Sequence, residues 1–366
     1  MTRAITMPKW GLTMTEGKVV RWSVPQGGSF SAGDELLEIE TSKITNVVEA
    51  EGDGTLLRVV APEGMTLPIG ALLAVTGPTG TSDSEVDAFV ARFEVVAPVE
   101  GAEDTASDAV APREIKVDGQ RLRYLDMGSG GVPVLLLHGF GADLNGWMLT
   151  QPVLAQDRRV VALDLPGHGG SGREVGAGDV GALVAVVEAF VGALGLDAMH
   201  VVGHSLGGGI GLALAARRPE MVRSLSLIAP AGLGPDVNAA FIEGFVKAGR
   251  RRDAEAVLRL LVHDPALISR AMVEDVLRFK RLDGVSAALE AIAGAWFGGG
   301  RQQWIVTEPP GVPTQMIWGR EDQIIPVVQA EALAGVTVHV LEGAGHLPHM
   351  EKAHEVNRLI GRWMNG

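Results

Sequence analysis

Hydrophobic and polar positions follow two different rhythms along this chain, with a change near residue 113. Up to residue 80, apolar residues come in short runs punctuated by Gly and Pro, the pattern of strands joined by tight turns. This region repeats itself. At an offset of 37 residues, Gly17, Arg21, Pro25, Gly27, Gly33 and Leu36 meet Gly54, Arg58, Pro62, Gly64, Gly70 and Leu73. The apolar Val19, Val20, Trp22, Val24 and Phe30 likewise meet Leu56, Leu57, Val59, Ala61 and Leu67. A repeat of strand-and-turn units predicts two similar β-sheets packed together, an all-β sandwich over residues 1–80. The joint between the copies carries Glu40-Thr41-Ser42-Lys43-Ile44-Thr45. A lone lysine on such a turn is exposed and open to covalent attachment of a group.

From residue 113 strands alternate with helices. Strands are predicted at residues 114–117, 121–126, 134–138, 160–164, 199–202, 222–228, 313–318 and 336–341, with helices at 178–195, 207–217 and 353–365. Runs such as Val134-Leu135-Leu136-Leu137 suit a parallel sheet buried on both faces. The alternation defines an α/β domain over 113–366. It stops between Pro230 and Pro313, where residues 237–297 read as helices alone. Residues 230–312 are therefore expected to form a helical lid over one end of the sheet. Its Phe241, Phe245, Trp296, Phe297 and Trp304 either line a small acyl pocket or form the lid's own core.

Residues 81–112 differ from both flanks. They hold eight acidic residues and one basic residue, Arg92, and are filled out by Thr, Ser, Ala and Pro. That composition predicts a flexible linker. Within it, residues 86–96 are apolar enough for a short helix or docking segment. The whole chain carries a net charge of −13, which argues against nucleic acid or an anionic membrane as partner. It has no cysteine, which fits a reducing cytoplasm and excludes thiolate chemistry. The N-terminus lacks an apolar signal core. The longest apolar run, residues 180–196, is broken by Glu188 and three glycines and falls short of a membrane span.

The strand ending at Val202 runs into Gly203-His204-Ser205-Leu206-Gly207 and then a helix. Gly-x-Ser-x-Gly between strand and helix places a serine on a sharp turn above the carboxyl edge of the sheet. A serine hydroxyl needs a base. Asp322 follows one later strand and His346 the next, so the order Ser205, Asp322, His346 supplies nucleophile, orienting acid and base. Glu321 is the rival acid, and the spacing favours Asp322. His138-Gly139-Phe140-Gly141 follows another strand end, where Phe140 N–H joins Leu206 N–H as an expected oxyanion donor. His138 is expected to brace that loop. The turn from Asp164 to Ser171 reads as structural, and His168 and His204 as makers of structural hydrogen bonds.

On these motifs residues 113–366 resemble the α/β-hydrolase superfamily. Residues 2–79 resemble lipoyl domains, which share their fold with biotin carriers. Ser42 and Ile44 flank Lys43 where biotin carriers usually have methionines, so the resemblance favours lipoate. The two halves together resemble the acetyltransferase components of acetoin dehydrogenase systems. That resemblance implies lipoate on Lys43, coenzyme A as acyl acceptor and no metal. It implies as partners thiamine-diphosphate-dependent acetoin-cleaving subunits and a flavin dihydrolipoamide dehydrogenase, with a homo-oligomer left open. The His-x-x-x-Asp-Gly motif of the usual 2-oxo acid dehydrogenase acyltransferases is absent, as is a clear peripheral subunit-binding domain. Two other readings stay open: a lipoyl-tethered serine hydrolase of small esters or thioesters, and a carrier or scaffold subunit without catalysis.

Overall fold

The 37-residue repeat becomes a near-twofold arrangement of two four-stranded sheets. The computed structural model describes residues 2–8, 16–41, 45–50, 52–94 and 111–365. They fall into two units, residues 1–109 and 110–366. The first holds β1 (Arg3–Thr6), β2 (Glu16–Trp22), β3 (Ser29–Phe30), β4 (Glu35–Glu40), β5 (Thr45–Glu49), β6 (Gly54–Val59), β7 (Thr66–Pro68) and β8 (Leu72–Gly77). One sheet runs β1-β8-β6-β3 and the other β5-β4-β2-β7, so each strand of one has its counterpart in the other.

The hydrogen bonds repeat with the sequence. Gly27 N–H donates to Leu56 O at 2.7 Å, and Gly64 N–H to Val19 O at 2.7 Å. Gly27 and Gly64 sit at φ 83° and 84°, where a side chain would be strained, which explains the matched glycines. Between the sheets lie Met7, Val19, Phe30, Leu37, Ile39, Leu56 and Leu73, among them the repeat's matched Val19 and Leu56. β4 and β5 are paired as far as Glu40 and Thr45, so only four residues close that hairpin. Lys43 is one of them and lies outside the described residues.

The expectation of a linker over 81–112 needs correction in its first half. Residues Asp83–Glu94 form a helix, α1. Val86 is buried against Leu72 and Val75, with Phe89 and Val90 packed alongside. Those residues recur at helical spacing, and the stripe finds an apolar face on the sheet. Arg58 adds an ion pair to Asp87 at 3.0 Å. The acidic composition describes the outer face of this helix. Residues 95–110 lie outside the described residues.

The second unit begins with β9 (Arg113–Val117), β10 (Gln120–Met127), β11 (Val134–Leu137) and β12 (Val160–Leu163). It continues with β13 (Met199–His204), β14 (Val222–Ile228), β15 (Thr314–Gly319) and β16 (Thr337–Leu341). The sheet order is β16-β15-β14-β13-β11-β12-β10-β9. From β12 to β16 every pairing is parallel, while β10 joins β12 and β9 antiparallel. All four residues of β11 are fully buried, as a sheet covered on both faces requires. The covering helices include α2 (Gln151–Leu154), α3 (Val180–Ala193) and α4 (Leu206–Arg217). Between β14 and β15 stand α5 (Ala239–Lys247), α6 (Arg251–Leu258), α7 (Arg270–Lys280) and α8 (Val285–Phe297), the predicted helical insertion. The short α9 (Pro348–Glu351) and the amphipathic α10 (Ala353–Asn365) end the described chain. Among the described residues no helix is long and apolar enough to cross a membrane, and no cluster of three or more His, Asp or Glu side chains is placed to hold a metal ion.

Candidate active site

β13 ends at His204 and α4 begins at Leu206, leaving Ser205 alone to turn the chain. Ser205 holds φ 51° and ψ −115°, a conformation that costs roughly 1–3 kcal/mol for a residue with a side chain. Its surroundings enforce it. Ser205 N–H donates to Ile228 O at 2.9 Å, and its carbonyl accepts from Ala231 and Gly209. The flanking glycines make the turn physically possible: a Cβ on Gly203 would stand 2.5 Å from Gly207 O, and one on Gly207 2.2 Å from Leu137 O.

His346 and Asp322 meet as the spacing suggested. His346 Nδ1 lies 2.7 Å from Asp322 Oδ2, and both side chains are out of solvent. Asp322 is itself held on all sides. Its Oδ1 accepts from Ile324 N (2.7 Å) and Ile325 N (3.0 Å), and its Oδ2 accepts from Trp318 Nε1 at 3.0 Å. The Asp322 oxygens thus act as acceptors throughout, so the imidazole's Nδ1 donates to Oδ2 and Nε2 is the nitrogen left to accept. Glu321 faces elsewhere: its Oε2 accepts from Ala344 N at 3.0 Å and supports the histidine loop. Among the described residues Ser205 Oγ makes no hydrogen bond, to His346 or to any other group.

The backbone of His346 is anchored at two points that the sequence does not advertise. His204 Nε2 lies 2.8 Å from His346 O, its ring 4.8 Å from the His346 ring. His346 N–H donates to Leu261 O, in the helical insertion, at 2.8 Å. Gly345 passes so close to that segment that a Cβ would stand 2.8 Å from the Val262 carbonyl carbon. The Glu351 carboxylate ties the same two strips together, accepting from Gly345 N and His263 N. Trp318, in β15 four residues before the acid, is legible in the sequence only as a strand residue.

The loop of Phe140, the expected oxyanion donor, follows β11. His138 turns back, its Nε2 accepting from Leu165 N at 3.0 Å and its Nδ1 donating to Gly139 O at 2.8 Å. Burial pushes its pKa down to about 4, so the ring is neutral and braces the loop. Gly139 passes against Ser205: a Cβ there would stand 3.2 Å from the serine Cβ. Neither Phe140 N–H nor Leu206 N–H meets an acceptor among the described residues. The turn after β12 is locked by Asp164, whose carboxylate accepts from Leu144 N and Gly170 N, both at 2.7 Å.

The insertion packs directly on this loop. Phe245 and Phe297 meet the Phe140 ring edge-on at 5.7 and 6.1 Å. A Cβ on Gly141 would lie 2.4 Å from the Phe245 ring, and one on Gly209 2.8 Å from Trp296. Lys280 fastens α5 in place, its ammonium reaching the carbonyls of Phe245, Val246 and Ala248.

Comparison with known proteins agrees with this architecture. The sequence pattern of the alpha/beta hydrolase fold matches residues 132–353, and that of biotin-requiring enzymes matches residues 3–76. A meta-cleavage product hydrolase of Pseudomonas fluorescens, solved as a mutant complexed with acetates, superposes with a TM-score of 0.64. It is 26% identical, over 69% of this chain and 97% of that one. Fold and sequence thus define an α/β-hydrolase-fold protein with an N-terminal domain of the biotin/lipoyl type. Within that class, the chain belongs to the family of dihydrolipoyllysine-residue acetyltransferase components of acetoin cleaving systems. The member from Cupriavidus necator is 44% identical over 99% of this chain and 97% of its own length. The one from Pseudomonas putida is 45% identical over 97% of this chain and 96% of its own.

Proposed function

We propose that this chain moves an acetyl group from a lipoyl thioester at Lys43 to coenzyme A through an acyl-serine. The observation that carries the reading is the union in one chain of a two-sheet attachment domain and a buried, strained serine beside a closed His–Asp pair. The β4–β5 pairing ends at Glu40 and Thr45, and the sequence places Lys43 in the joint between those two strands, which suits a lysine-borne group. Lipoate there supplies an acyl thioester on a long arm.

Ser205, His346 and Asp322 are the catalytic residues in this reading. His346 Nε2 takes the proton of Ser205 Oγ as the oxygen adds to the thioester carbonyl. Asp322 holds the Nδ1–H tautomer and stabilises the imidazolium. The N–H groups of Phe140 and Leu206 receive the negative oxygen, each such donor being worth roughly 3–4 kcal/mol in the transition state. The C–S bond then breaks, and His346 returns its proton to the departing thiolate. In the second half His346 takes the proton of the coenzyme A thiol, whose sulfur adds to the acetyl-serine carbonyl. Collapse releases acetyl-CoA, and Ser205 recovers a proton from His346. The buried aromatic roof of Phe245 and Phe297 favours a thiol over water as acceptor by keeping the acyl-serine dry. The acyl donor is loaded by a thiamine-diphosphate-dependent acetoin-cleaving enzyme, and a flavin dihydrolipoamide dehydrogenase restores the oxidised arm.

Incubation of the chain with acetyl-dihydrolipoamide, with and without coenzyme A, tests the reading. Acetyl-CoA should dominate when coenzyme A is present. Acetate in both reactions would make the chain a tethered hydrolase. No product in either, with lipoate found on Lys43 by intact mass, would make it a carrier.

A further inference from the structure

Basic residues are concentrated at two points of this acidic chain. Residues 250–252 (Arg250, Arg251, Arg252) and residues 278–281 (Arg278, Phe279, Lys280, Arg281) are the only places where three of four consecutive residues are basic. The first run leads into α6 and the second closes α7, and these helices pack on each other. Lys280 joins the two corners. Its ammonium reaches the carbonyls at the end of α5, two to five residues before Arg250, and stands 5.3 Å from the Phe245 ring centroid. Lys280 is thereby engaged as a rivet. Arg278 is paired with Asp275 at 2.8 Å, and Arg251 lies 3.9 Å from Glu255. Arg250, Arg252 and Arg281 are exposed, and none has an ion-pair partner among the described residues.

Exposed arginines alone say little, because water solvates them well. Two facts give these a direction. The run begins five residues beyond Phe245, within roughly 18 Å even for fully extended chain, and Phe245 packs on Phe140 and Gly141 of the loop after β11, the loop whose Gly139 passes against Ser205. Residues 113–366 carry 24 basic against 27 acidic residues and are nearly neutral, so a local cluster of unpaired arginines there is an attractive point for an acceptor bearing a nucleotide pyrophosphate and a further phosphate. Guanidinium groups match phosphate oxygens in geometry as well as charge. We infer that Arg250, Arg252 and Arg281 bind the nucleotide phosphates of coenzyme A, from which the pantetheine arm runs past Phe245 to Ser205. This rests on the acyl-transfer reading, and it adds where the acceptor docks.

The test compares coenzyme A with pantetheine, the same thiol without the nucleotide, as acceptors from acetyl-dihydrolipoamide. In a variant combining Arg250→Ala, Arg252→Ala and Arg281→Ala, KM for coenzyme A should rise by roughly tenfold at low salt. Kinetics with pantetheine should stay at the unmodified level, which also shows that the fold and the serine are intact. Added salt should raise KM for coenzyme A in the natural chain and leave the variant nearly flat. Equal KM for the two thiols in the natural chain, or an equal change for both in the variant, would overturn the docking site while leaving acyl transfer standing. Acetate as the sole product with either thiol would overturn both.

Discussion

In the proposed reaction Ser205, His346 and Asp322 act as one unit with the N–H groups of Phe140 and Leu206, and that coupling has measurable consequences. Ser205→Ala and His346→Ala should each lower turnover by roughly a thousandfold or more. The double variant should lose little beyond either, because both residues serve one step. Additive losses would show that they do not. Asp322→Asn should slow the reaction while keeping the fold, since its place between Trp318 Nε1 and the N–H groups of Ile324 and Ile325 is lost only in part. Away from the site, His200 is buried with its Nδ1 2.8 Å from Ser224 Oγ. Burial, with Arg158 and Arg223 nearby, lowers its pKa to about 4. A histidine that is neutral when folded and titrates near 6.5 when unfolded leaves the unfolded chain with more protons in between. Stability therefore falls as pH drops from 6.5 toward 4, by on the order of 2 kcal/mol for this group. Thermal unfolding across that range should decline less steeply in His200→Gln, whose amide still reaches Ser224. Identical slopes would remove His200 from the account.

At the scale of elements, the sequence shows most clearly what repeats or alternates. The offset of 37 residues foretells both sheets of the first unit, because matched glycines force matched turns. The buried parallel sheet of the second unit follows from runs that only a doubly covered sheet accommodates, whereas its strand order appears only in the structure. What the sequence hides is contact between distant residues. The apolar stripe of Val86, Phe89 and Val90 is visible and reads as a short helix or docking segment, but nothing near it announces Leu72 and Val75 as the face on which it packs. Likewise nothing near Leu261 announces that its carbonyl will hold His346. The aromatics of the insertion fall between these cases, since Phe245 proves both a core residue and the cover of the Phe140 loop. Phe245→Leu should therefore broaden acyl preference from acetyl toward butyryl and longer thioesters. Each added methylene is worth about 1–3 kcal/mol once space admits it. A chain-length profile that stays fixed would place the size filter elsewhere.

For the whole molecule, the relevant quantity is what each unit does without the other. Lys43→Ala should abolish the lipoyl adduct in intact mass and any turnover that depends on a chain-borne thioester. Transfer from free acetyl-dihydrolipoamide should persist, because Ser205 and its partners lie wholly in the second unit. Loss of both activities would mean that the first unit contributes to the reaction centre itself. The bond from His346 N–H to Leu261 O gives the second unit a property of its own. The strip of insertion at residues 259–263 and His346 are fastened together, and Gly345 leaves no slack between them. If that strip lifts to let bulk solvent in, it draws the imidazole away from the serine. Flooding the site and disarming it are then a single event, so an acetyl group waiting on Ser205 would meet water only when the group that could activate water had been withdrawn.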